Sequence, residues 1–69
     1  MIKLTGTEGG VVLVNPHYVM AVIPFRGDTR EFKNVPKSVI FTMGGVALNV
    51  VETPDDYYQA ERLGLGEVI

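Results

Sequence analysis

The chain has one imidazole, at His17, and any hydrolytic chemistry would have to be built around it. Such a site needs a serine and a carboxylate beside the ring, and Ser38 with Asp28 or Asp55 supplies the residue types. No Gly-x-Ser-x-Gly turn surrounds Ser38, however, and His17 directly follows Pro16, a position that reads as a solvent-facing turn. Cysteine is absent, which excludes a thiolate zinc site, a disulfide framework and a cysteine nucleophile. Glu52, Asp55 and Asp56 cluster and are of the type that holds magnesium or calcium. Their spacing fits no calcium loop, and capping of a helix start already accounts for both aspartates. Gly9-Gly10 and Gly44-Gly45 are not followed by Lys-Ser/Thr and open no helix, so they read as hairpin turns rather than phosphate cradles. The expectation is a protein that is not an enzyme, with no catalytic residue, no metal and no cofactor.

The segment 26–37 carries the strongest interaction signal. It holds four of the six basic residues, Arg26, Arg30, Lys33 and Lys37, around Phe32 and against Asp28 and Glu31. Cations beside an aromatic ring can grip phosphates and stack a base, can meet a protein partner, or can simply be solvated. The local charge of +2 is small for nucleic acid unless a symmetric oligomer sums several copies. Residues 52–67 form the opposite pole, with five acids and one arginine, which favours head-to-tail packing or a basic partner.

These side chains need a scaffold, and the apolar runs describe it. Residues 2–5, 11–14, 19–25, 38–42 and 46–52 are β-branched or apolar segments bounded by turn signals, and they predict five strands within 2–52. Asn15-Pro16 breaks the chain after the second strand. The stretch 26–37 is too long for a tight turn and reads as a mobile excursion between strands three and four. Thr53-Pro54-Asp55-Asp56 combines a cap, a first-turn proline and two acids at the positive dipole end, and predicts a helix from 54 to about 63 with Gly64 as its stop. Tyr58, Arg62 and Leu65 fall on one side of it at helical spacing, with Tyr57 and Ala60 nearby. The tail 64–69 could add as an edge strand or fray. A weak echo links 7–14 to 42–50, each a glycine turn followed by a strand.

Sixty-nine residues allow one small domain, 1–69, and 46% apolar content with a mean hydropathy of +0.21 excludes a charged disordered tail. A net charge of −2 argues against a nucleic-acid packaging role. The longest apolar run, 19–25, is far short of a membrane span, and the opening residues lack the pattern of a signal peptide. The expected setting is cytoplasmic, or a virion for a phage-encoded chain. The fold class expected is mostly β (β-rich α+β): about five antiparallel strands in a curled meander or small barrel, with one short C-terminal helix. Strands two, three and five are apolar on both faces where a half-wet strand would alternate. Both faces therefore call for cover, by barrel closure or by a second copy, and a homo-oligomer is expected.

Ile2-Lys3-Leu4-Thr5, a glycine turn, a strand ending at Asn15, Val22-Ile23, Ile40-x-Thr42-x-Gly44-Gly45 and Val50-Val51-Glu52-Thr53 leading into a helix together resemble the small FlbD-like proteins. That family is associated with bacterial flagellar operons and motility, and small bacterial and phage open reading frames share the shape. The 26–37 segment and the apolar tail depart from the family's pattern. The resemblance implies a non-enzymatic accessory protein without catalytic residues. The function expected is protein–protein interaction with a larger machine. A nucleic-acid-binding module using Arg26, Arg30, Phe32, Lys33 and Lys37, and a structural assembly component, are the alternatives.

Overall fold

The computed structural model describes residues 1–63, so the predicted tail 64–69, the stop at Gly64 and the position of Leu65 lie outside the described residues. Five strands and two helical elements follow in order: β1 (Ile2–Thr5), β2 (Val11–Val14), a 3-10 turn α1 (Pro16–Tyr18), β3 (Val19–Pro24), β4 (Ser38–Thr42), β5 (Ala47–Val50) and α2 (Pro54–Leu63). All strand pairings are antiparallel. β1 and β2 form one hairpin, and β3, β4 and β5 form a three-stranded meander. The meander alternative is the one realised. The two sheets do not close into a barrel, and β3 and β5 each end earlier than the apolar runs suggest.

The hairpin β1–β2 and the hairpin β4–β5 are the same object repeated 36 positions apart. Ile2↔Val14, Lys3↔Leu13, Leu4↔Val12 and Thr5↔Val11 correspond to Ser38↔Val50, Val39↔Asn49, Ile40↔Leu48 and Phe41↔Ala47. The loops match as well. Gly6 N–H donates to Gly10 O at 2.8 Å and Gly9 N–H to Gly6 O at 3.0 Å; Thr42 N–H donates to Val46 O and Gly45 N–H to Thr42 O, each at 3.0 Å. Both are three-residue loops ending on a left-handed glycine, Gly9 at φ 92° and Gly45 at φ 83°. The echo in the sequence aligns Thr7 with Thr42, one residue out of the structural register, because it pairs the glycine doublets rather than the glycines that turn the chain. Each hairpin is also followed by a capped proline. Asn15 accepts from the His17 N–H at 3.0 Å and starts α1, while Thr53 starts α2.

The α2 start is a reciprocal cap: Asp56 N–H donates to Thr53 Oγ1 at 3.0 Å, and Thr53 N–H to the Asp56 carboxylate at 3.2 Å. A helix of this length is not stable alone. It docks through Tyr57 and the half-buried Ala60 against a core of Ile2, Leu4, Val14, Ile40 and Val50. Tyr58 and Arg62 share its outer side, with the guanidinium 5.8 Å from the ring centre. The sheets meet at a corner where Gly6 bridges Val50 and Val51 N–H donates to Thr5 O at 2.9 Å.

Candidate functional site

The loop between β3 and β4, expected as a mobile excursion, is tied to its surroundings at several points. Asn34 donates from both its backbone N–H (3.0 Å) and its side-chain amide (3.2 Å) to Thr7 O at the first hairpin. Phe25 N–H donates to Lys37 O at 3.1 Å, and Lys37 N–H to Val50 O at 2.9 Å. Phe25 and Phe32 pack edge to face with ring centres 5.7 Å apart, and Pro36 is buried.

Of the five candidate contact residues, Arg26, Lys33 and Lys37 project as exposed cations. Arg30 is engaged with Asp28, whose carboxylate accepts from the guanidinium at 2.8 Å and from the Arg30 backbone N–H at 2.9 Å. The guanidinium, with the backbone N–H second, lowers the Asp28 pKa; Asp28 in turn raises that of Arg30. Phe32 is half-buried against Phe25. Arg26, Lys33 and Lys37 are thus exposed, while the Phe32 ring is only partly presented.

Two of the residues weighed for catalysis and metal binding, Ser38 and Glu52, make structural contacts. Ser38 is fully buried and donates to Glu52 O at 2.6 Å, whereas His17 is exposed on α1. Glu52 accepts from Thr5 through both carboxylate oxygens. Among the described residues, no group of three or more His, Asp or Glu side chains is placed to hold a metal ion, and no helix is long and apolar enough to cross a membrane.

Two other surfaces stand out. The first is the outer face of β3–β4–β5. Side chains alternate across a sheet, so the cross-strand rows Ala21–Phe41–Ala47 and Ile23–Val39–Asn49 share the face opposite the core. Five of these six residues are apolar and none is charged; Phe41 is 39% and Ile23 44% exposed. The apolar runs of β3 and β5 pointed to such a face, because one ten-residue helix covers a sheet only in part.

The second is a cleft of about 330 Å³ between β3 and α2, lined by Val19, Met20 and Val22 on the strand and by Tyr57, Tyr58 and Glu61 on the helix. Pro16 and Pro54, the two helix-starting prolines, also line it. β3 carries an irregularity between Val19 and Ala21, at Met20, whose side chain stands 69% exposed on the rim. Tyr57 is only 4% exposed, and its hydroxyl finds no hydrogen-bond partner among the described residues. Burial, and secondarily the Glu61 charge, raises the Tyr57 pKa, so the phenol is a proton donor at neutral pH. Sequence reasoning placed Tyr57 on the helix but had no signal for this cleft, which exists only because α2 folds back over the start of β3.

Comparison with protein-family models, with curated proteins and with solved structures finds no match to this chain.

Proposed function

We propose that this chain is a small, non-catalytic accessory or regulatory protein that acts through protein–protein contact and self-associates through the outer face of β3–β4–β5. The observation that carries the reading is that uncharged face: Ala21, Ile23, Val39, Phe41 and Ala47 turned to solvent in two adjacent rows. A second copy is the occupant it suits, because pairing the face with itself brings no like charges together. Three strands spaced about 4.8 Å apart over about five residues give a plan area of roughly 250 Å², well below the roughly 800 Å² per partner of a standard interface. Association through this face is therefore concentration-dependent rather than permanent. The resemblance to FlbD-like proteins is in keeping with an accessory factor that works beside a larger assembly.

Light scattering across an approximately hundredfold concentration range tests the reading. The mass rises above that of the monomer, and Phe41→Glu moves the rise to at least about tenfold higher concentration. A monomer throughout, or a Phe41→Glu chain indistinguishable from the parent, overturns it.

A further inference from the structure

The hairpin β1–β2 is a two-stranded sheet, and the outer edge of β2 is unpaired among the described residues. Gly6 N–H donates to Gly10 O, and the antiparallel ladder alternates from that pair. Leu4–Val12 and Ile2–Val14 therefore exchange hydrogen bonds, whereas Thr5–Val11 and Lys3–Leu13 do not. Thr5 fixes the same phase, since its N–H and C=O turn away from β2 toward Glu52 and Val51. The N–H and C=O of Val11 and Leu13 thus point outward from β2, without a partner among the described residues. Their side chains stand 65% and 56% exposed. The other sheet guards its edges. β3 has the irregularity at Met20, Pro24 without an N–H, and α2 alongside; β5 is met at Val50 by Gly6. β2 carries no charge, no proline and no irregularity. We propose that β2 pairs antiparallel with β2 of a second copy about a two-fold axis at Val12, joining two hairpins into one four-stranded sheet.

A second copy is the occupant because this edge complements itself. With Val12 on the axis, Val11 faces Leu13 of the other copy, and each of the two such pairs exchanges both its N–H···O bonds. Registers that set Val11 or Leu13 opposite itself leave only one such pair within the strands. The Val11 and Leu13 side chains then lie side by side on the outer face and cover each other's apolar surface. The half-buried Val12 meets its own copy on the core side. No like charges are brought together. Lys3 is the one charged residue of the two strands, and the two copies of it stand three strand spacings apart, about 14 Å, beyond a Debye length of about 8 Å. A two-stranded hairpin is marginal, and further strands stabilise it. A four-residue edge makes a contact that fills with rising concentration rather than a permanent one. The contact is isologous, so it closes as a dimer. It uses a surface separate from the outer face of β3–β4–β5 and does not depend on pairing there.

The absence of cysteine makes a trapping experiment clean. All chains carry Phe41→Glu, so pairing through the other sheet's face does not contribute, and its failure leaves the result unchanged. In the proposed register position 11 of one copy faces position 13 of the other with Cα atoms about 5.5 Å apart, within disulfide range. Like positions lie on the diagonal, about 7–8 Å apart and out of range. A Val11→Cys chain is mixed with a Leu13→Cys chain under mild oxidation. The mixed disulfide forms about tenfold faster than either chain joins itself. It also forms about tenfold faster than that of Val11→Cys with Met20→Cys, a control position of similar exposure. Amide exchange in the cysteine-free Phe41→Glu chain gives a second readout. Over an approximately hundredfold rise in concentration, exchange at Val11 and Leu13 slows about tenfold. Val12 and Val14, bonded to β1, do not change and report an intact hairpin. Equal trapping rates overturn the proposal, as does fast exchange at Val11 and Leu13 at every concentration. Protection of these two amides in a chain of monomer mass overturns it too, because the chain would then cover the edge itself.

Discussion

The carboxylate of Glu52 holds Thr5 twice, accepting from its backbone N–H and from its hydroxyl, each at 2.9 Å. The residues lie 47 positions apart, and the bond pair spans the seam between the two hairpins. The Glu52 main chain completes the stitch from the other side, its carbonyl accepting from the buried Ser38 hydroxyl at 2.6 Å. Ser38 occupies in the second hairpin the place that Ile2 holds in the first. A polar residue is tolerated at that fully buried position because Glu52 passes directly over it and satisfies it. The acidic residue that resembles a metal ligand in sequence is thus the fastener between two copies of one structural unit.

Glu52→Ala leaves the Thr5 N–H and hydroxyl without their acceptor at the seam, and its expected cost is about 2–3 kcal/mol in urea unfolding. Glu52→Gln keeps one acceptor for the N–H and offers an amide donor to the hydroxyl, so its cost is about 1 kcal/mol or less. Equal losses in the two variants would mean that the charge, rather than the hydrogen-bond geometry, holds the seam.

The two loops make a paired prediction. Gly9 and Gly45 are left-handed, and neither has an atom close enough to obstruct a methyl group, so Gly9→Ala and Gly45→Ala carry backbone strain alone. Each is expected to cost about 1–2 kcal/mol. Gly10 and Gly44 sit in open space without a positive φ, and alanine at either changes stability by no more than about 0.5 kcal/mol. Thermal unfolding of the four variants checks this, and a costly Gly44→Ala would contradict the shared loop geometry.

Most of the fold is legible in the residues themselves. β-branched runs and glycine or proline punctuation mark all five strands, and Thr53-Pro54-Asp55-Asp56 marks the start of α2, because these signals act locally. What the sequence conceals is set by relationships between distant segments. The doublets Gly9-Gly10 and Gly44-Gly45 suggest a repeat in the wrong register, since only the backbone shows which glycine of each pair takes positive φ. The 26–37 segment looks free because its anchors, Thr7 and Val50, are remote in sequence. The pairing of the exposed Arg30 with Asp28, two residues apart, is a local partnership that charge counting alone does not reveal. The cleft is invisible for the same reason: Met20 and Tyr57 carry no common motif.

Asn34 anchors the loop, and its removal shows how much of the 26–37 order depends on that anchor. Asn34→Ala deletes the side-chain bond to Thr7 O while leaving the backbone bond in place. The expected loss of global stability is about 0.5–1 kcal/mol. Local opening responds more than global unfolding does, so amide exchange in the loop rises about fivefold while that of β4 and β5 changes little. An unaltered exchange pattern would mean that the edge-to-face contact of Phe25 with Phe32 holds the loop, and Phe32→Ala would then release it.

Removal of the Tyr57 hydroxyl is expected to raise stability rather than lower it. Its ring belongs to the core, but its hydroxyl is buried without a partner, so Tyr57→Phe keeps the packing and removes an unmet polar group. The variant is expected to be as stable as the parent or more stable by up to about 1 kcal/mol at neutral pH. The folded-state pKa lies above the ordinary tyrosine value of 10.0, so the unfolded chain ionises first as pH rises. The stability that Tyr57 contributes is therefore complete below about pH 10 and is lost as pH climbs through the folded-state pKa. Tyr57→Phe flattens that alkaline decline. Urea unfolding of the parent and of Tyr57→Phe between about pH 8 and pH 11 checks this, and a Tyr57→Phe chain that keeps the parental decline would contradict it.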